Sequence, residues 1–372
     1  MGHMQSLGKV VLMACMKNEG PFILEWIAYY LSIGVTKFVI VTNDCDDGTD
    51  LILDRLDEMG IVRHLPNPIM IEKFSKPIQT IAIKYASLQK EIRTADWLLI
   101  VDTDEFLNLK PGDGTLADLV RKAGHFDAMS FNQVVFGNAG LETFEDVPIT
   151  QQFFQRFNYD EVNPRLYPMM FGIKTLVRNR DDLFSRFTNH LPRLRKGKES
   201  EVVWLDGSGN PVHEDFLKRS SRSYPVYMKR EKDAESEKTK LSRHRYDGIW
   251  KTHMMGYVNH YSLKSLESFI VQSLRGDAVN QEVRRDFGYW RSYDRNDKFD
   301  DSILPKAKRS QVILDDLMSD KLLAALHKQA VLRHQKVYKK VKGKPAIKAL
   351  IDECRKAQED FRAGGQDEAV SG

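Results

Sequence analysis

Two acids two residues apart, Asp102 and Asp104, end the apolar run Trp97-Leu98-Leu99-Ile100-Val101. That run is too short for a helix and reads as a strand buried on both faces of a parallel sheet. Residues two apart on an extended backbone point to the same side. The spacing therefore predicts two carboxylates aimed together from the carboxyl end of the strand. Such a pair repels, and desolvation would raise both pKa values unless a cation lies between them. Hard oxygen ligands suit Mg²⁺ or Mn²⁺, ions that keep open positions for phosphate oxygens. The chemistry implied is a metal site holding a diphosphate. The plain alternative is a strand-end loop with two solvated acids.

The elements that must position this pair precede it. Lys9 to Met16 reads as a first buried strand, followed by helical periodicity from Phe22 to Ile33 (Ile23, Ile27, Tyr30, Leu31) and a helix-ending Gly34. A second strand spans Lys37 to Thr42, a helix about Thr49 to Met59, and a shorter strand Ile61 to Leu65. A longer helix, about Gln79 to Arg93, leads into the Trp97 strand. Strand alternating with helix four times predicts a doubly wound α/β layer with right-handed crossovers. Ligands of such sheets sit at the carboxyl ends of the strands. Those ends carry Asn18-Glu19, Asn43-Asp44 and Asp102/Asp104, so three polar clusters converge on one crevice.

The first strand-to-helix turn lacks G-x-G-x-x-G, and no G-x-x-x-x-G-K-[ST] occurs, which argues against a dinucleotide-binding enzyme and a P-loop NTPase. The D-x-D spacing also matches aspartate-nucleophile phosphatases, with Asp102 as nucleophile. In those the motif follows the first strand, whereas here three strand-helix units precede it. A non-catalytic nucleotide- or glycan-binding module is the other alternative.

Lys17-Asn18-Glu19, the Asn43 to Thr49 turn and Trp97 to Leu107 resemble bacterial family-2-type glycosyltransferases of the GT-A fold. The Asp-x-Asp-Glu-Phe form is similar to the branch shared with the family-92 enzymes of animals and plants. The resemblance implies a GT-A-like (Rossmann-like) mixed sheet flanked by helices. It implies that Asn18, Glu19, Asn43 and Asp44 border the nucleoside, with Gln79 and Lys84 on the facing helix, and that Asp102 and Asp104 bind the metal. Asn43-Asp44-Cys45 replaces the Asp-Asp-Gly-Ser turn usual in family 2. A nucleotide-sugar donor, a UDP-sugar first, and a glycan, lipid-linked or protein acceptor are the implied partners. An inverting enzyme of this kind needs a carboxylate base, for which Glu142 and Asp215 are the candidates.

Later stretches add to the site. Gly256-Tyr257-Val258-Asn259-His260 reads as a strand ending in histidine, with Ser262 placed to cap a helix from Leu263 to Leu274 and Arg275-Gly276 closing it. A late histidine is often a further metal ligand in GT-A enzymes, so His260 is expected to join Asp102 and Asp104 on the metal. Lys264, in the first turn of that helix, would face the diphosphate. His190 either faces the site or is an ordinary satisfied histidine. Phe126 to Phe136 and Gly172 to Arg178 read as strands, Thr115 to Ala123 and Gln151 to Phe157 as helices, and Val202 to Val212 as a hairpin. Residues 217–246, dense in Lys, Arg, Ser and Glu, read as a long loop or a ligand-ordered lid.

The expected organisation is a glycosyltransferase-like domain over 7–300, split into a donor half (7–110) and an acceptor half (111–300). A helical extension over 301–362 and a disordered tail over 363–372 complete it. Hydrophobic residues at 42% suffice for a core, and a net charge of +4 suits anionic ligands without arguing for nucleic acid. Three dispersed cysteines suggest a reducing compartment. Met1-Gly2-His3-Met4 reads as a cloning remnant. With no window of membrane-spanning length and no leader-like apolar core, the expectation is a cytoplasmic protein. Basic residues after Gln335 (Lys336, Lys339, Lys340, Lys342, Lys344, Lys348) allow peripheral contact with the inner membrane face.

Overall fold

The structure, a computed structural model, describes residues 7–68, 78–159, 172–220, 253–274 and 285–362. The first half follows the apolar runs closely: β1 (Val10–Met16), α1 (Ile23–Ser32), β2 (Lys37–Thr42), α2 (Thr49–Glu58), β3 (Val62–Pro66), α3 (Ile78–Ala86), α4 (Lys90–Arg93) and β4 (Trp97–Ile100). Then come β5 (Glu105–Leu109), α5 (Leu116–Ala123), β6 (Ala128–Val135), β7 (Gln155–Arg156) and β8 (Ile173–Arg178). A hairpin of β9 (Phe184–Phe187) and β10 (Pro192–Leu194) precedes β11 (Trp204–Asp206), α6 (Glu214–Ser220) and β12 (Gly256–His260). The chain closes with α7 (Leu266–Ser273), α8 (Phe287–Tyr293), β13 (Lys298–Phe299), α9 (Leu304–Ser319), α10 (Lys321–Val341) and α11 (Pro345–Arg362).

Among the described residues the main sheet runs β3-β2-β1-β4-β8-β6-β12-β5, with β11 beside β6. β1 to β4 form a parallel half, β8 is antiparallel to both β4 and β6, β12 is parallel to β6, and β5 is antiparallel to β12. The consequence is geometric. The carboxyl ends of β1, β2, β4, β6 and β12 and the amino ends of β8 and β5 share one edge. This is the GT-A-like mixed sheet flanked by helices that the family resemblance implies, with a helical C-terminal extension.

α1 lies between the sheet and α9, so it is buried on nearly every side, from Ile23 to Tyr30. α10 seats on α2 and α7. Where it crosses the turn after β1, a Cβ on Gly20 would stand 2.7 Å from the Cβ of Ala330, so only glycine fits. Asp320 caps α10 by accepting from the Leu323 amide at 2.8 Å and binds the Arg55 guanidinium of α2 at 2.6 Å. The six lysines from Lys336 to Lys348 are all exposed, while Ala330, Val331, His334, Tyr338 and Val341 turn inward. No helix among the described residues is long and apolar enough to cross a membrane.

Several local expectations are corrected. The helix predicted over Gln79 to Arg93 is broken between Ala86 and Lys90, where the Ser87 hydroxyl bonds back to the Ile83 carbonyl. Gln151 to Phe157 is not helical. Only a 3₁₀ turn (Ile149–Gln151) forms, and β7 then pairs with β13, a partner too distant in sequence for local pattern to reveal. The helix cap is Ser265, which accepts from the Ser268 amide at 3.2 Å, and not Ser262. Lys264, at φ 58, turns the chain between the two serines. In the stretch read as a hairpin, β11 instead pairs in parallel with β6, and only a bridge from Leu205 to Pro211 remains antiparallel. The expected lid lies mostly outside the described residues, as do Arg275-Gly276 and the tail from 363.

Glu25, in the first turn of α1, is buried and accepts from the amides of Ile149 (2.6 Å) and Thr150 (2.9 Å) and from the Thr150 hydroxyl (2.8 Å). Burial outweighs these donors and lifts its pKa from 4.5 to about 7. The folded chain keeps this proton over a range where the unfolded chain has released it. The contribution of Glu25 to stability is therefore greatest below pH 4.5 and falls as the pH rises to about 7, by on the order of 3 kcal/mol. Melting curves of the wild type and Glu25→Gln across that window should diverge, the wild type losing more. Parallel curves would contradict the assignment.

Candidate active site

The acid turn departs from the extended-strand reading. The Glu105 amide donates to the Asp102 carbonyl at 3.1 Å, so the chain turns at Thr103-Asp104 and Asp102 and Asp104 do not share one strand face. It then enters β5, which in the sheet order stands beyond β8, β6 and β12. In a flat sheet those four steps would cover about 19 Å. The step from Ile100 to Glu105 spans at most about 17 Å fully stretched, and less when turned. The sheet must curl, and β6 is the strand that curls it: Ala128–Asn132 pair with β8, Gln133–Val135 with β12. The acid turn thus crosses the curled edge and meets one strand end after another.

Aromatic residues of α1 hold the turn from below. The Trp26 indole donates to the Asp102 carbonyl at 3.0 Å and the Tyr30 hydroxyl to the Glu105 carbonyl at 3.0 Å. The Tyr29 hydroxyl donates to the Leu107 carbonyl at 3.0 Å. All three rings are buried, so the polar tip of each side chain is matched to turn backbone.

Each acid of the turn meets a different partner. Asp102 Oδ2 is 2.9 Å from Lys174 Nζ and accepts from Asn189 at 3.4 Å, while its Oδ1 accepts from Gln79 at 3.1 Å. Glu105 is fully buried, lies 2.9 Å from the same ammonium, and accepts from the Gln133 amide. Asp104 Oδ1 faces His260 Nε2 at 3.8 Å, and its Oδ2 lies 3.7 Å from the Arg285 guanidinium. Burial works to lower the Lys174 pKa, but Asp102 and Glu105 outweigh it, so the ammonium stays charged. One cation shared by two carboxylates leaves the more buried Glu105 the weaker acid, raised by burial despite Lys174. His260 is held below the usual histidine range, chiefly by burial, and is neutral.

Among the described residues no three His, Cys, Asp or Glu side chains converge to hold an ion. The donor chemistry nevertheless fits a two-ligand site. A carboxylate oxygen and a neutral imidazole nitrogen face each other at 3.8 Å, beyond hydrogen-bonding reach, and the other ring nitrogen of His260 is buried without a partner. Mg²⁺ and Mn²⁺ are commonly held by one or two protein ligands, with water and phosphate oxygens completing the shell.

The remaining sequence candidates divide. Asn18 and Asp44, both at positive φ (54° and 47°), end β1 and β2 at the same edge. Asn18 exchanges hydrogen bonds with Asp46 (2.7 and 2.9 Å), and the Glu19 amide donates to Thr49 at 2.8 Å, so the two turns are sewn together. Asn43 is buried and donates to the exposed Asp44. Gln79 is at the site. Lys84, five residues on, is exposed and has no contact with the acid turn. Lys264 is not solvent-facing: it is buried, its ammonium 4.8 Å above the Phe22 ring and acting on Glu25. Glu142 is paired with Arg355 of α11 at 2.8 Å and touches none of Asp102, Asp104, Glu105 or His260. Asp215 lies on α6, and its side chain is outside the described part. His190 is half-buried beside Lys174, its Nδ1 3.0 Å from the Ile173 carbonyl; desolvation of the ring pushes its pKa down to about 3. Lys174, Gln133, Asn189, Arg285 and the α1 aromatics were not foreseen. The one available signal was Lys174, a charge near the start of a strand that is otherwise uncharged until Arg178.

The fold and its acid-lined edge define a mixed α/β chain of GT-A-like build. Within that class, residues 11–192, just under half of the chain, match the family model of glycosyltransferase family 92. A glycosyltransferase family 92 protein of Oryza sativa subsp. japonica is 32% identical over 108 residues, 28% of this chain and 17% of that protein. One of Ricinus communis is 26% identical over 170 residues, 41% of this chain and 28% of its own. The chain therefore spans less than a third of these relatives. Among solved structures, S. aureus TarS 1-349 aligns with 97% of this chain and 93% of its own at 12% identity and a TM-score of 0.32. Its complex with UDP aligns with 98% and 95% at 12% identity and a TM-score of 0.30. At such scores the sheet order, and not the superposition, defines the fold.

Proposed function

We propose that this chain is a metal-dependent glycosyltransferase that moves a sugar from a nucleotide-diphosphate sugar to a glycan or related acceptor. The observation that carries the reading is the Asp104 carboxylate of the acid turn facing a neutral His260, at the end of β12, on the edge where the strand ends converge. Asp104 and His260 would hold Mn²⁺ or Mg²⁺, which when bound neutralises charge on the leaving diphosphate. Asn18, Asn43, Asp44 and Gln79 line the nucleoside side of the same edge. Arg285 adds positive charge beside Asp104. By the family-2 resemblance the reaction is inverting. Glu142 is engaged by Arg355, so Asp215 is the first acid to substitute in a search for the base.

The test is a thermal-shift panel of UDP, GDP, CMP and dTDP with and without Mn²⁺, a UDP-sugar being the favoured donor. A nucleotide at a hundred times its Kd stabilises the native state by about 2.7 kcal/mol, a shift of several degrees. A shift with one nucleotide that requires Mn²⁺ supports the proposal. No shift with any, together with labelling of Asp102 by a phosphoryl mimic, would favour a phosphatase instead.

A further inference from the structure

We propose that the outer face of α10, continued into the start of α11, is a docking surface for an anionic phospholipid membrane, and that it brings the edge carrying the acid turn to that membrane. The second clause rests on the glycosyltransferase reading above: an acceptor carried on a lipid would then meet the site from the surface on which the chain rests.

Between Asp320 and Asp352 the chain has nine Lys and Arg residues and no acid. The whole chain is only +4, so everything outside this stretch is net −5 and the positive charge is local. All nine are exposed, and among the described residues only Arg333 meets an acid, Asp46 at 3.6 Å. Lys321, Lys328, Leu332 and Lys339, spaced seven, four and seven apart, form one line along the helix. Leu322, Arg333 and Lys340 form the line beside it, and the two leucines are 52% and 54% exposed.

Folding does not ask for this pattern. Lys336 lies three and four residues before Lys339 and Lys340, spacings at which like charges repel. The helix dipole favours cations in the last turn alone, and Lys321 stands at the first position of α10, where it disfavours them. An external anion removes both penalties. The class of anion follows from what lies between the charges. Eight of the nine are lysines, which meet phosphate as point charges, and the stretch offers no exposed Phe, Tyr or Trp for a base to stack on. Lipid headgroups take the ammonium groups, while leucines and lysine stems rest at the boundary with the acyl chains. α10 is already folded against α2, α7 and α9, so docking costs no helix formation.

The same helix flanks the site. Ala330 packs on Gly20 after β1, and Asp46, beside Arg333, accepts from Asn18 at 2.7 Å. One residue on, His334 Nε2 is 3.2 Å from Ser268 Oγ of α7. The basic face therefore runs beside the edge where the strand ends converge.

The experiment co-sediments the full chain with vesicles of phosphatidylcholine alone and with about 30% phosphatidylglycerol added, at about 50 mM and about 500 mM salt. Binding to the anionic vesicles alone, weakened at high salt, is expected. A lysine near such a surface is worth about fivefold, so Lys336→Gln/Lys339→Gln/Lys340→Gln should lose about a hundredfold in partitioning. That variant should melt no lower than the wild type, because it removes like-charge repulsion. Lys90→Gln/Lys122→Gln/Lys196→Gln removes equal charge from exposed positions that lead into the amino ends of β4, β6 and β11, and should lose less than about threefold. Leu332→Ser should lose about tenfold at either salt concentration, since apolar burial is not screened. Equal affinity for a duplex DNA, indifference to Leu332→Ser, or equal losses in the two lysine variants would each overturn the assignment. Failure of the wild type to bind anionic vesicles, with its Mn²⁺-dependent nucleotide shift intact, would overturn this inference alone. Vesicle binding without any nucleotide shift would overturn the glycosyltransferase reading and leave the docking face standing.

Discussion

Asp104→Ala is expected to lose Mn²⁺-dependent nucleotide binding and to cut sugar transfer by about a thousandfold. The estimate takes the charge stabilisation supplied by a bound dication, several kcal/mol, and converts about 4 kcal/mol at 1.36 per decade. Folding should survive, because His260 is neutral and Arg285 is partly exposed, so the substitution strands no buried charge. The Asp104 carbonyl, which accepts from the Tyr261 amide at 2.8 Å, is untouched by a side-chain change. The measurement pairs transfer rates with a melting curve. Activity within tenfold of wild type in a folded variant would remove Asp104 from the metal and with it the carrying observation of the proposed function.

Lys174→Ala should instead act on the fold, destabilising it by about 3–5 kcal/mol, the usual cost of removing one partner from a buried charge pair. Glu105 would be left buried, bonded to Gln133 and to the Asp102 amide but facing no cation. Glu105→Gln in the same chain should recover much of the loss, because it leaves no buried charge: its Oε1 can accept from the Asp102 amide, and its Nε2 can donate to Gln133 once that side-chain amide turns its oxygen inward. Urea unfolding of the wild type, both single variants and the pair gives the coupling energy directly. Additive effects would mean that the ammonium does not hold the turn.

Much of the donor half was legible because buried parallel strands announce themselves as apolar runs. β2 was predicted to the residue, and β1 and α1 to within one, each ended by a polar turn that needs no tertiary context. The expectation that Asn18, Asn43 and Asp102 end on one edge followed from the same alternation, whereas His260 came from the family resemblance. The acid turn itself was misread. Phe106 and Leu107 resume apolar character after Glu105, so Trp97 to Leu107 looks like one strand, and periodicity carries no sign that the chain rounds the sheet edge and rejoins four positions away. Lys174 was hidden for a related reason. Its partners are 69 and 72 positions earlier, and only the curl in β6 brings them together. Gln151 to Phe157 failed because pairing with Lys298–Phe299 overrides a weak local preference.

The sandwiching of α1 ties residues 304–362 to the acid turn without their touching it. Trp26, Tyr29 and Tyr30 grip the acid turn on one side of that helix, and α9 covers the other. α10 meanwhile presses Ala330 against Gly20, in the turn that carries Asn18 and Glu19. The helices from Leu304 onward are therefore a keystone and not an appendage. A lineage could change their exposed lysines without disturbing the acid turn, but it could not shed the helices and keep the active-site loops in place. Duplication or fusion events that keep the acid turn in place should carry α1 and the helices from Leu304 to Arg362 together.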